Sequence, residues 1–260
     1  MTAALDGRVA LVTGASRAAG IGAAVVRRLV ADGAAVLVTS WAPYDGEQPW
    51  GGDATAAPAL VEELRDAGGR VEHVSADLAD PDAPALLAAR AREAFGGLDV
   101  LVANHARSVD QGLGGLTAAE VDLTYAVNVR ATLLLVQALD QGRAPGPGGR
   151  VVLFTSGQHA GAMPGELPYV ASKGALHQLT ASLAVPLVAR GTTVNCVDPG
   201  PNDTGWADDT VRAAVAAQHP AGRWGRPADA ARLVAWLVSD EADWVTGQVI
   251  GSDGGWARRA

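Results

Sequence analysis

Tyr169 and Lys173 stand four residues apart in Pro168-Tyr169-Val170-Ala171-Ser172-Lys173, and Ser156 lies thirteen residues before the tyrosine. On a helix, residues i and i+4 project from one face, so the ammonium and the phenol are neighbours. A cation beside a phenol favours phenolate and lowers a pKa that is ordinarily about 10, towards the range of a working general acid or base. Ser156 follows the apolar run Val151-Val152-Leu153-Phe154 and Thr155, which reads as a buried strand. Its hydroxyl therefore emerges at the strand's carboxyl end, where open α/β sheets place their ligands. A hydroxyl donor, a tuned phenol and a cation at one strand mouth suit proton transfer to a carbonyl oxygen. By itself Tyr-x-x-x-Lys is a weak signal, because any amphipathic helix contains it by chance.

The elements that must hold these groups alternate along the chain. Short apolar runs at 9–12, 35–39, 70–74, 100–102, 151–154, 193–197 and 248–250 read as strands. Between them, Ala/Leu-rich stretches at 21–32, 54–67, 81–95, 118–141, 169–189, 210–218 and 227–238 read as helices. Repeated βα units of this kind predict an α/β fold, a Rossmann-type doubly wound parallel sheet of about seven strands with helices on both faces. No internal repeat or interdomain linker interrupts residues 1–260, and the Gly/Pro-rich stretch at 142–149 is a helix-to-strand loop. Residues 41–53, with Trp41, Tyr44 and Trp50 among Pro and Gly, form a long loop. It is read first as a packed surface loop, with a functional role as the alternative.

The turn after the first strand is Thr13-Gly14-Ala15-Ser16-Arg17-Ala18-Ala19-Gly20-Ile21-Gly22. Glycine lets the backbone turn sharply and approach a pyrophosphate, and the helix it opens offers free N–H groups and a positive dipole end. Strand-before and helix-after placement is the context that gives such a fingerprint meaning.

Taken together, Thr13-Gly14…Gly20-Ile21-Gly22, Ser156, Tyr169-x-x-x-Lys173, Pro199-Gly200 with Thr204, and Thr246-Gly247-Gln248…Asp253-Gly254-Gly255 resemble the short-chain dehydrogenase/reductases, in the right order and over essentially the whole chain. Among them the chain looks like bacterial 3-oxoacyl-[acyl-carrier-protein] reductase-like members. The resemblance implies Tyr169 as general acid/base, Ser156 as the donor orienting a carbonyl, and Lys173 as a ribose ligand that lowers the tyrosine pKa. It implies Asn128 as the holder of a proton-relay water. It places a nicotinamide dinucleotide against Gly14, Ser16, Arg17, Gly20, Ile21 and Gly22, with Ser40 and Trp41 at the adenosine ribose, Asp77 and Leu78 at adenine, and Asn104, Pro199, Gly200 and Thr204 towards the nicotinamide. The expected activity is NADPH-dependent reduction of a ketone or 3-oxoacyl-type carbonyl. The alternatives are NAD-dependent alcohol oxidation and cofactor binding without turnover. Reduction of C=C is disfavoured, because enoyl reductases of this family space their Tyr and Lys more widely.

The chain departs from the family pattern in places. Gly14 and Gly20 are six apart, two more than usual, so the loop bulges. His105 stands in Ala103-Asn104-His105-Ala106 where relatives carry a small residue. A loop contact is the plainer reading for it, ahead of a proton-active role. His159 is likewise expected in solvent, with a place in the substrate pocket as the alternative. At the end of the second strand, Thr39-Ser40-Trp41 lacks the acid that would bind the ribose hydroxyls and repel a 2′-phosphate, while Arg17 is placed to pair with one. NADP(H) is thus favoured over NAD(H).

Bulk properties narrow the classes. A net charge of −8 argues against nucleic acid, whose phosphates need a basic face. One cysteine, Cys196, forbids an internal disulfide and fits a reducing, cytoplasmic setting. The five histidines are scattered, so no metal site is expected, and no apolar run is long enough to span a membrane. Residues 200–218, with Trp206, Asp208 and Asp209, are placed to form a substrate lid over a small carbonyl or alcohol. Helices 118–141 and 169–189 carry apolar residues beyond one core-facing stripe, so they either lie fully buried or pair with another subunit. The resemblance implies a homo-oligomer, dimer or tetramer, assembled through them. The Trp256–Ala260 tail reads as either a subunit contact or a frayed end.

Overall fold

The computed structural model describes residues 4–256, so most of the tail, 257–260, lies outside the described residues. Seven strands form one sheet: β1 (Val9–Val12), β2 (Ala35–Ser40), β3 (Val71–Ser75), β4 (Val100–Ala103), β5 (Gly149–Phe154), β6 (Thr192–Asp198) and β7 (Val249–Gly251). Their order across the sheet is β3-β2-β1-β4-β5-β6-β7, and every neighbouring pair is parallel. The direction of winding reverses between β1 and β4, which opens a crevice at the carboxyl ends of those strands.

The strands are near-continuous apolar runs because both faces are covered. Along them the pleat sends alternate side chains to opposite sides. Val12, Val36, Val38, Val102 and Val152 join one core with α1 (Ile21–Ala31), α3 (Ala56–Asp66) and α9 (Pro227–Val238). Leu11, Leu37, Leu101, Val151 and Leu153 join the other with α4 (Ala83–Phe95), α6 (Ala131–Gly142) and α7 (Leu167–Val188).

Three local differences from the sequence reading matter for the site. The segment 41–53 is not all loop: α2 (Ala42–Gly46) occupies its first part. The predicted helix 118–141 is α5 (Ala118–Tyr125) followed by a π-helical turn, Ala126–Arg130, before α6. Such turns insert a residue into the helical ladder and recur at functional sites, and this one holds Asn128. Finally α7 begins two residues earlier than expected, with Pro168 in its first turn, where the missing N–H leaves no bond unmade. The remaining elements fall within a few residues of their expected ends, with α8 at Asp209–Gln218.

Candidate active site

A cleft of about 1110 Å³ runs across the carboxyl ends of the strands, from the glycine turn past β2 and β4 to the residues after β5 and β6. Its walls include Gly14, Ser16, Arg17, Gly20, Ile21, Ser40, Trp41, Asp77, Leu78, Asn104, Ser156, Tyr169, Lys173, Pro199, Gly200 and Thr204. Gly22 and Asn128 stand just behind these walls rather than in them.

The glycine turn is built around backbone crowding. Gly14 has φ 72°, and a Cβ there would lie 2.6 Å from the His105 Cα. A Cβ on Gly22 would strike the Gly14 carbonyl oxygen. Asn104 ties the turn to β4, its Nδ2 donating to the carbonyls of Thr13 at 3.2 Å and Gly14 at 2.8 Å. The narrow backbone cradle at a helix N-terminus, open to the cleft, fits a dinucleotide pyrophosphate.

His105 is a loop contact, in line with the plainer sequence reading, though a fully buried one. The Thr13 hydroxyl accepts from the amides of Asn104 and His105 and stands 2.7 Å from His105 Nδ1. On the far side Nε2 faces the Val127 carbonyl at 3.0 Å, which can only accept. Nε2 therefore carries a proton, and in the neutral ring that burial favours, Nδ1 accepts from Thr13. Burial drives its pKa down to about 3, reinforced by the Lys173 charge. It fastens β1 and β4 to the π-helical turn. His159 instead turns away from the cleft towards Asp198, at 3.7 Å, and the His177 ring.

At the other end of the cleft α7 delivers Tyr169 and Lys173. Ser156 lies two residues beyond β5 and lines the cleft beside Tyr169, near enough for its hydroxyl to favour the phenolate. Lys173 is 2% exposed, and its ammonium donates to the Phe154 carbonyl at 2.9 Å while standing 5.6 Å from the Tyr169 ring centre. Burial pushes Lys173 down to about 8. Desolvation likewise pushes Tyr169 up to about 12, opposed by the Ser156 hydroxyl and aided by the Glu166 charge. The expected lowering of the tyrosine by the lysine is thus not the dominant effect here. Desolvation sets the direction, and the phenol is protonated throughout the neutral range.

Asn128 is wholly buried and fully engaged. Its Oδ1 accepts from the Arg107 amide at 2.7 Å, while Nδ2 donates to the Arg107 carbonyl and to Ser172 Oγ, each at 2.9 Å. It joins the π-helical turn to the loop after β4 and to α7, and so helps fix Tyr169 in place.

Arg17 crosses the cleft. Its guanidinium donates to the Thr204 carbonyl at 3.2 Å and to the Thr204 hydroxyl at 3.4 Å, stacks 4.6 Å from the Trp50 ring, and lies 3.8 Å from the buried Asp45 carboxylate. Ser40 Oγ is 2.8 Å from His73 Nε2, and Asp77 accepts from the Ala79 amide. The sequence reading missed the residues that the 41–53 segment adds to the cleft. Tyr44, Asp45, Glu47 and Trp50 all line it. The cluster of aromatic residues there was the available signal, but nothing in it specified the direction in which the segment folds. Trp206, on the stretch before α8, also lines the cleft, and its Nε1 donates to the Asn202 carbonyl. Asp208 caps α8, its carboxylate accepting from the Val211 amide. Among the described residues no cluster of side chains could hold a metal ion, and no helix is long and apolar enough to cross a membrane.

A doubly wound parallel sheet with this Ser-Tyr-Lys set and glycine turn defines a nicotinamide-dependent oxidoreductase. The chain belongs to the short-chain dehydrogenase/reductase family. Residues 14–257 match the family model described as enoyl-(acyl carrier protein) reductase. The chain is 37% identical over 253 residues to an uncharacterized oxidoreductase of Bacillus subtilis, covering 96% of this chain and 97% of that one. It is 35% identical to a versicolorin reductase of Emericella nidulans, covering 96% of each. A short-chain dehydrogenase of Burkholderia cenocepacia solved in complex with NADP superposes with a TM-score of 0.86 at 38% identity, covering 97% of this chain and 98% of that one.

Proposed function

We propose that this oxidoreductase reduces a carbonyl to an alcohol using NADPH, with Tyr169 as the general acid. The observation that carries this is one cleft joining the glycine turn to a half-buried phenol that stands beside Ser156 and keeps its proton through the neutral range. Gly14 and Gly20 to Gly22 would hold the pyrophosphate, Asp77 and Leu78 the adenine side, and Lys173 the nicotinamide ribose. Arg17 would meet a 2′-phosphate, and the NADP bound to the Burkholderia relative supports that choice over NAD(H). When bound, the reduced nicotinamide supplies the hydride.

The protein's own groups handle the oxygen. Ser156 donates a hydrogen bond to the substrate carbonyl and polarises it. Tyr169, holding its proton up to about 12, gives that proton to the oxygen as negative charge develops there. The phenolate left behind accepts from Ser156, with the Lys173 cation nearby. Four-residue Tyr–Lys spacing supports C=O over C=C as the bond reduced, and the versicolorin reductase relative is consistent with a ketone. The stretch at 200–218 would close over the substrate.

The exposed apolar side chains Tyr125, Val185 and Val188 on α5 and α7 support a homo-oligomer assembled through these helices. Replacing Tyr169 with Phe is expected to abolish NADPH oxidation by carbonyl substrates while leaving NADPH binding, read by fluorescence titration, intact. Undiminished turnover in that variant would overturn the assignment.

A further inference from the structure

The cleft holds a carboxylate that the proposed reduction does not use. Glu166 lies three residues before Tyr169, in the same cleft, close enough for its charge to act on the Tyr169 hydroxyl. Its backbone is fixed on both sides: its amide donates to the Met163 carbonyl, and the following amide, of Leu167, donates to Gln111. Its side chain is fixed by the Ser108 hydroxyl, which donates to Oε2 at 2.8 Å.

Ser108 is itself clamped by the 41–53 segment. Its amide donates to the Tyr44 hydroxyl and its carbonyl accepts from that hydroxyl, both at 2.9 Å. The neighbouring Arg107 is held by Glu120 at 2.7 Å and by Glu47 at 3.0 Å. Among the described residues, the cations lining the cleft are engaged away from Glu166. Arg107 has Glu120 and Glu47, Arg17 has Thr204 and Asp45, and Lys173 has the Phe154 carbonyl.

An ionised carboxylate is acceptor-only with about four lone-pair sites, and Ser108 takes one of them. The remainder are open to the cleft, where a carboxylate with no described cation beside it discriminates between donors and anions. The structure assigns Glu166 as a specificity-determining residue, selecting carbonyl substrates that carry a hydrogen-bond donor near the carbonyl and turning away anionic ones. The role of the 41–53 segment follows from this: through Tyr44 and Ser108 it holds the selecting carboxylate in place. The inference rests on the carbonyl-reductase reading for its substrate class and on the geometry around Glu166 for its selectivity.

The test uses four aryl ketones of similar size: acetophenone, α-hydroxyacetophenone, α-aminoacetophenone and benzoylformate. The wild-type enzyme with NADPH is expected to favour the hydroxy and amino ketones over acetophenone by about tenfold or more in kcat/KM, and to rank benzoylformate last. Charge-assisted hydrogen bonds set that scale. Glu166→Gln keeps an acceptor for Ser108 but removes the charge. In that variant the amino ketone should lose about tenfold and benzoylformate should gain about tenfold, with the change carried by KM. A larger loss for the amino ketone than for the hydroxy ketone identifies an ammonium as the better donor; equal losses show that the carboxylate accepts either donor alike. Turnover with an unchanged ranking in Glu166→Gln overturns the assignment and leaves the reductase reading intact.

A readout free of turnover separates the two ideas. Calorimetric binding of the same ketones to NADP+-loaded Tyr169→Phe and Tyr169→Phe/Glu166→Gln should show the same re-ranking. Re-ranked binding without turnover in the wild type would remove the reductase reading and keep Glu166. Equal binding of all four ketones by both variants would remove Glu166.

Discussion

The Lys173 ammonium donates to the Phe154 carbonyl at 2.9 Å and stands 5.6 Å from the centre of the Tyr169 ring. The lysine thus couples the end of β5, which carries Ser156 two residues further on, to the helix that carries the tyrosine. Burial brings the cation down to about 8, so its charge is lost as pH rises through that value. Carbonyl reduction is expected to decline over the same limb, a dependence that Tyr169, protonated up to about 12, cannot produce. Lys173→Met should lower kcat/KM by about 10²-fold at pH 7, in the range of general acid–base effects. Lys173→Arg should retain more activity and lose the limb near pH 8. A pH–rate profile of the three proteins checks this, and an unshifted limb in Lys173→Arg would count against it.

His105 links stability to acid. Its folded pKa, about 3, lies below the ordinary value near 6.5, so the unfolded chain binds the proton more readily between those values. The contribution is fully present above about pH 6.5 and is lost as pH falls towards 3. Over that window the loss amounts to a few kcal/mol. Replacing His105 with Gln should flatten the acid limb of urea midpoint against pH, whatever it does to stability at pH 7. A parallel acid limb in the variant would assign the effect to other groups.

Gly14 combines φ 72° with a Cβ position 2.6 Å from the His105 Cα. Gly14→Ala must strain the turn and push on the segment after β4, at a cost of about 1–3 kcal/mol or more. Weakened NADPH binding, by fluorescence titration, and a lowered thermal midpoint are both expected. Gly51, also at positive φ but with nothing near its Cβ position, should cost less on the same change.

Arg17 lies within the glycine turn, and its guanidinium spans the cleft to Thr204 in contacts that a 2′-phosphate would replace. Arg17→Ala is expected to weaken NADP(H) binding by about tenfold or more, the scale of a charge-assisted hydrogen bond, and to change NAD(H) binding much less. Comparing the two dissociation constants checks it. Equal losses for both cofactors would place Arg17 at the pyrophosphate rather than at a 2′-phosphate.

Much of this molecule was written in local pattern. Apolar runs of four to six residues alternating with Ala/Leu-rich helices point to a parallel sheet buried on both faces, which wants Val and Leu at consecutive positions. The glycine turn, Ser156 and the Tyr169–Lys173 spacing are short-range features, and the structure puts all of them along one cleft. Tertiary packing decided the rest. The π-helical turn at Asn128 follows from contacts with Arg107 and Ser172, which are 21 and 44 residues away. Spacing alone predicts that a lysine lowers a tyrosine pKa, whereas the depth of burial, set by the whole fold, raises it. The inward fold of the 41–53 segment, and with it the setting of Glu166 against Ser108, depends on pairings across 64 and 58 residues. No window along the chain contains both partners, so the chemistry was legible in sequence while the shape and charge that select its substrate came only from the fold.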